Sequence, residues 1–181
     1  WNLDKHVKNL QSFGQTVVIA FNKFATDTDE EIEVLRKHCE EMGCGFAVNS
    51  AFAEGGNGAI ELANLVVKTI DERPSAPLYF AYDDNDSVEE KIEKVAFNLY
   101  GAGSVTLSDS AKAMIEEIKK LGAEKFPICI AKTQYSFSTD AKAYGPKECF
   151  EHHVGDITVQ MGAEMIVVLT GPILRMTGLQ K

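Results

Sequence analysis

The chain has 181 residues, 45% of them hydrophobic, and a formal charge of −9 at pH 7. That is enough apolar material for one good core or for two small lobes. Its acidity is diffuse and its Lys and Arg residues are scattered, which excludes the clustered basic face of a nucleic-acid binder; no apolar run approaches the ~18 residues of a membrane span.

The elements are read in chain order. Leu3, Val7 and Leu10 lie at helical spacing over residues 2–13, and Gly14 fits the stop. The charges on this helical pattern separate the segment from a secretory signal. The apolar run 16–21 suits a central parallel strand buried on both faces. Thr28 with Glu31 forms a capping box that opens a helix to Met42, ended by Gly43. A second strand is predicted over 46–51, and Gly55-Gly56 leads into a helix over 59–72. The β-α-β-α order with short connections points to an open, mostly parallel sheet flanked by helices. Pro74 and Pro77 then break the pattern, and a boundary is placed there: residues 1–75 as part of a main ligand-binding domain, 76–181 as a smaller C-terminal α+β part.

Residues 78–82 read as extended and partly buried. A second capping box, Ser87 with Glu90, opens a helix whose stripe is Val88, Ile92, Val95 and Leu99, ending near Gly101. Another helix runs from Ser108 to Gly122 on the stripe Ala111, Ile115, Ile118 and Leu121; both stripes read as core faces. Strands are predicted over 127–131, 157–161 and 165–169, with a polar loop over 134–148 and an irregular end from Gly171.

Cys39, Cys44, Cys129 and Cys149 form no CxxC, so they read as reduced structural thiols in a cytosolic setting, with Cys129 buried in its strand. Cys149, His152 and His153 lack the second spaced pair of a zinc site, and the two histidines read as a solvated pair.

Ligands of open α/β sheets bind beyond the carboxyl ends of parallel strands. The first strand ends in Asn22-Lys23-Phe24 and the second in Asn49-Ser50-Ala51-Phe52, followed by Ala53-Glu54-Gly55-Gly56. Adjacent parallel strands would bring both tips to one rim. There Phe24 and Phe52 could hold a planar ring, with Asn22, Asn49 and Glu54 as polar contacts; alternatively both rings cap the core. Gly55-Gly56-Asn57-Gly58 before a helix is compatible with a phosphate held on free amides. Lys132 and Thr133 close another strand and are candidate ligand contacts. The Asn-Lys strand end also resembles a guanine-reading motif, but Ala25 stands where that motif needs Asp, and no GxxxxGK[ST] occurs in the chain.

Several segments resemble, in one order, the formate–tetrahydrofolate ligase family: the lead-in helix with Asn2-Leu3-Asp4-Lys5-His6, the stretch VVIAFNKFATDT from Val17, Phe52-Ala53-Glu54-Gly55-Gly56, Glu89-Glu90-Lys91-Ile92 with Tyr100-Gly101-Ala102, and Pro127-Ile128-Cys129-Ile130-Ala131-Lys132-Thr133-Gln134-Tyr135-Ser136. The resemblance covers essentially the whole chain. It implies a P-loop-NTPase-like fold and an ATP-dependent C–N ligase that joins formate to tetrahydrofolate through formyl phosphate. It also implies a homotetramer using Mg²⁺ and a monovalent cation such as K⁺ or NH₄⁺.

On this resemblance Phe24 and Phe52 are the two walls of a pteridine stack, with Phe52 where the family more usually has Trp. From their strand-end positions Asn22 and Glu54 are expected as further pteridine contacts and Lys132 and Thr133 as nucleotide contacts, and the resemblance sets Gly145 and Pro146 where the family's loop approaches the adenine. None of these is a catalytic acid or base, and no metal ligand is expected. The family's phosphate loop lies upstream of the matching region, so these residues are expected to be a C-terminal portion inactive alone. The family's closing Pro-Gly-Leu-Pro-Lys reads here Thr177-Gly178-Leu179-Gln180-Lys181, and an expected Arg is missing near His152-His153-Val154-Gly155. Two other readings are a non-catalytic folate-binding or oligomerisation module and half of a P-loop GTPase-like domain.

Overall fold

The computed structural model describes residues 2–133, 135–140, 142, 143 and 148–171. They are α/β, with small parallel and mixed sheets flanked by helices. The chain divides into two compact units, Leu3–Tyr79 and Phe80–Lys181.

In the first unit, α1 (Asn2–Ser12) leads to β1 (Val18–Asn22), α2 (Asp29–Glu41), β2 (Gly45–Asn49), the short α3 (Ala51–Glu54) and α4 (Ile60–Glu72). Strands β1 and β2 pair in parallel from Val18↔Gly45 to Asn22↔Asn49. The capping box at Thr28 is fully formed: its side chain accepts from the Glu31 N–H and the Glu31 carboxylate accepts from the Thr28 N–H. Those bonds hold the Glu31 carboxyl below its ordinary range. Val7, Val17, Ile32, Cys39, Cys44 and Phe46 form the core, with the Arg36 guanidinium 4.8 Å from the centre of the Phe46 ring. Leu65 of α4 packs on Gly45, where an added Cβ would come within 3.3 Å of it.

Strand β1 is only half buried, with Ala20 and Asn22 exposed, contrary to the expectation of a strand covered on both faces. The sheet has two strands among the described residues, so β1 is an edge and its apolar run overstates its burial. Residues 78–80 are likewise exposed rather than partly buried and form no strand.

The second unit contains α5 (Val88–Val95), which continues as a wider π turn over Ala96–Tyr100 and stops at Gly101 in the left-handed conformation, φ +83°. Next come β3 (Ala102–Leu107), α6 (Asp109–Leu121), β4 (Ile128–Ala131), β5 (Phe150–Val154), β6 (Asp156–Gln160) and β7 (Met165–Leu169). β3 and β5 form one parallel pair; β4, β7 and β6 form a second sheet, parallel at β4–β7 and antiparallel at β6–β7. Val88, Ile92, Ala111, Ile115, Ile118, Val154, Ile157, Ile166 and Val168 meet in its core. Leu121 departs from its expected stripe and is exposed. Lys91 is fully buried in this unit and donates to the carbonyls of Glu124 (2.8 Å) and Phe126 (3.2 Å); burial lowers its pKa.

Cys129 is exposed, not buried: it takes the outward position of β4, while Ile128 and Ile130 pack against the core. His152 reverses the expectation of a solvated pair. It points inward from β5 and is fully buried, whereas His153 is exposed and hydrogen-bonds Thr106 Oγ1 at 2.9 Å. No helix among the described residues is long and apolar enough to cross a membrane.

Candidate functional site

The carboxyl ends of β1 and β2 lie side by side, because the parallel register sets Asn22 opposite Asn49. Asn49 Nδ2 donates to Asn22 Oδ1 at 2.9 Å, and the Lys23 N–H donates to the Asn49 carbonyl at 3.0 Å, extending the ladder one residue past the strand. Asn49 Oδ1 accepts from the Ala51 N–H at 3.3 Å. One asparagine side chain therefore joins both strand tips and the start of α3.

Each tip carries an aromatic ring. Phe24 is 68% exposed and Phe52 is 100% exposed, so neither ring caps the core. Burying an aromatic face is favourable, and a display of two at adjacent strand tips suits a flat ligand. Phe24 is held by a turn: its N–H donates to Asp27 Oδ2 at 2.8 Å, and its carbonyl accepts from the Asp27 N–H at 3.1 Å. Phe52 lies on α3, whose Ala53 and Glu54 N–H groups both donate to the Ser50 carbonyl at 3.0 Å. Ser50 Oγ donates to Glu54 Oε2 at 3.2 Å, orienting that carboxylate at the same tip.

The glycine stretch has a packing role. Residues Gly55–Ala59 form a 3₁₀ turn between α3 and α4. Gly58 is buried against Ser50, whose N–H donates to the Gly58 carbonyl at 3.0 Å; a Cβ at position 58 would fall 2.5 Å from the Ser50 carbonyl carbon. Lys23 pairs with Asp29 Oδ1 at 3.4 Å, so its charge is directed to the first turn of α2. An open depression of about 530 Å³ beside β1 is lined by Phe21, Asp27, Glu30, Glu31, Val34 and Leu35; Phe24 and Phe52 are not among its lining residues.

Lys132 and Thr133 follow β4 in the second unit. Lys132 Nζ donates to the carbonyls of Thr133 (3.0 Å) and Ser136, and it sits 5.2 Å from the Tyr100 ring centre and 5.5 Å from that of Phe137. Burial lowers its pKa. Thr133 is buried, and its hydroxyl accepts from the Tyr135 N–H at 3.2 Å. Both side chains thus order the turn they begin. Gly145 and Pro146 lie outside the described residues, as does the closing stretch 172–181.

A family model described as formate–tetrahydrofolate ligase matches residues 1–181. The chain belongs to that family. Among curated proteins named formate–tetrahydrofolate ligase, it is 61% identical to one from Bacteroides fragilis over 180 residues, covering 99% of this chain and 32% of that protein. It is 59% identical to one from Bacteroides thetaiotaomicron and 52% identical to one from Porphyromonas gingivalis, with the same coverage. The chain therefore spans about a third of the length of the curated ligases it matches.

Sequence reading missed two residues that shape this family member's strand tips. Asp27 holds Phe24, and its signal was an Asp three positions on in a turn. Gly58 admits Ser50, and its signal is a glycine just before a helix.

Proposed function

We propose that the chain is a portion of an ATP-dependent formate–tetrahydrofolate ligase and supplies the surface on which the pteridine of tetrahydrofolate stacks. The observation that carries this is the pair of exposed rings, Phe24 and Phe52, on strand tips joined by the Asn22–Asn49 hydrogen bond. Two exposed aromatic faces at adjoining strand tips offer apolar surface that a flat ligand can cover. Asn22 and Glu54 supply polar contacts at the rim of the stack. The tips lie at the carboxyl ends of parallel strands, where open α/β sheets bind ligands; this supports a P-loop-NTPase-like arrangement in the longer family chain. Membership in a ligase family separates this reading from a GTPase half.

In this reading formate is activated by ATP to formyl phosphate, and the folate amine takes the formyl group. The residues here position the folate rather than exchange protons, so their contribution is proximity and orientation. Lys132, Thr133, Gly145 and Pro146 are the proposed nucleotide contacts. Mg²⁺ and a monovalent cation go with ATP in the family resemblance. Among the described residues no group of three His, Cys, Asp or Glu side chains could hold a metal ion. A homo-oligomer and a cytoplasmic setting belong to the same proposal.

A calorimetric titration with tetrahydrofolate, run on this chain beside Phe24→Ala and Phe52→Ala, tests the reading. Weakening by both substitutions supports it; unchanged binding in both variants overturns it.

A further inference from the structure

Helix α4 is apolar on two sides. Its inner side turns Leu62, Leu65 and Thr69 inward; Leu65 touches Gly45 of β2, and the Thr69 hydroxyl is spent on the Leu65 carbonyl at 2.7 Å. Its outer side carries Ile60 (54% exposed), Val67 (60%) and Ile70 (64%), with Ala63 also exposed between them. These positions are spaced three, four and three apart, the seam spacing of a helix that packs on another helix. Singly scattered apolar side chains need no explanation, but a contiguous stripe does. The charged residues bordering it are directed along the surface: Lys68 pairs with Glu72 at 3.9 Å, and Glu61 with Arg36 at 4.0 Å.

We propose that this stripe is the docking face for a helix from the two thirds of a family chain that lies outside these residues. Two observations select that occupant over a second copy. The stripe runs about three turns, or ~15 Å. A strip that size offers a few hundred Å² at most, well short of the ~800 Å² per partner that a stable independent interface needs. A segment tethered in the same chain meets no such threshold, because its effective concentration is millimolar or higher. The matched ligases also provide the chain: these residues account for 32% of their length. Ala63 leaves a notch between Ile60 and Val67, so the occupant presents a large apolar side chain there, with others at i+3 or i+4 and i+7. The inference uses family membership and length only, and stands or falls apart from the pteridine reading.

The test is thiol labelling at Val67→Cys and, separately, at the smaller replacement Ala63→Cys, with Cys129→Ser and Cys149→Ser in every form. Labelling is compared between the 181-residue chain and a full-length chain in which these residues replace the matching third of the Bacteroides fragilis ligase. Lys37→Cys on the outer side of α2 serves as the control. The expected result is fast labelling in the short chain and labelling at least ~100-fold slower in the long one, independent of protein concentration, with the control fast in both. Equal rates in the two chains overturn the proposal. Protection that grows with concentration overturns it in favour of a second copy. Protection already present in the short chain at every concentration overturns it in favour of cover from within these residues.

Discussion

Replacing Gly58 by Ala should damage both the fold and the ligand site, through one identifiable collision. The added Cβ would sit 2.5 Å from the Ser50 carbonyl carbon, 2.7 Å from its oxygen and 2.7 Å from its Oγ. Real Cβ atoms do not approach other heavy atoms within 3.0 Å, and two of these three are backbone, so no rotamer relieves the contact. The 3₁₀ turn must retreat from the end of β2 by several tenths of an ångström. That retreat strains the Ser50 N–H to Gly58 carbonyl bond and moves the start of α3, which carries Phe52 and Glu54. Overpacking of this kind costs about 1–3 kcal/mol. In a unit of this size each kcal/mol lowers Tm by roughly 4–8 °C. The assay is urea denaturation followed by far-ultraviolet circular dichroism, beside Gly56→Ala, whose Cβ meets nothing within 4 Å. Gly58→Ala should lower the midpoint without changing the denaturant slope, and should weaken tetrahydrofolate binding; Gly56→Ala should stay within about 0.5 kcal/mol of the parent. If the two variants behave alike, the packing argument for this glycine is wrong.

Other perturbations address the rest of the chain. His152 is fully buried between the rings of Tyr100 (5.6 Å) and Phe150 (6.4 Å), and neither of its ring nitrogens has a hydrogen-bond partner among the described residues. Burial, with smaller repulsions from Lys132 and His153, lowers its pKa from 6.5 to about 4. The unfolded chain therefore binds the extra proton between those values. Stability should be full above about pH 6.5 and fall by up to ~3 kcal/mol as the pH drops towards 4. His152→Leu should flatten that dependence in denaturation curves at pH 7 and pH 5. Ser87→Ala removes the hydroxyl that accepts from the Glu90 N–H at 3.2 Å and should cost about 1 kcal/mol, with Thr28→Ala similar; both are measurable by thermal unfolding. Lys91→Met should cost about 1–3 kcal/mol, because two carbonyls lose their buried donor, and hydrogen exchange should quicken in the loop before β4.

The elements legible in the sequence were those with strong local signals. Both capping boxes, the stops at Gly14, Gly101 and Gly122, and the stripes of α5 and, Leu121 excepted, α6 carry their cause within a few residues. Strands β3 and β5 were not read. β3 contains Gly103 and Ser104, and Gly103 exists to let Cys149 approach, a long-range reason that no local window contains. β5 does alternate, with Phe150, His152 and Val154 on one side, but its two histidines read as polar and hid the inward one. Burial was the weakest inference. The apolar runs of β1 and of residues 78–80 look like core, yet among the described residues β1 is only half buried and residues 78–80 are exposed. The aromatic pair at the strand tips was readable because parallel pairing follows from β-α-β order. Asp27 acts within a four-residue turn and carries a local signal, whereas the fit of Gly58 against Ser50 depends on how the 3₁₀ turn folds back on the end of β2.

The measurement that bears most directly on the central claim is fluorine NMR of the chain labelled with fluorophenylalanine, with the Phe24 and Phe52 signals assigned through Phe24→Tyr and Phe52→Tyr. It is recorded with and without tetrahydrofolate, both in these 181 residues and in a full-length family chain carrying them. Stacking on both faces of one pteridine predicts that both resonances move together, saturably and at the same ligand concentration, while core phenylalanines such as Phe46 stay put. Folate bound with neither resonance moving would place the pteridine elsewhere and contradict the account.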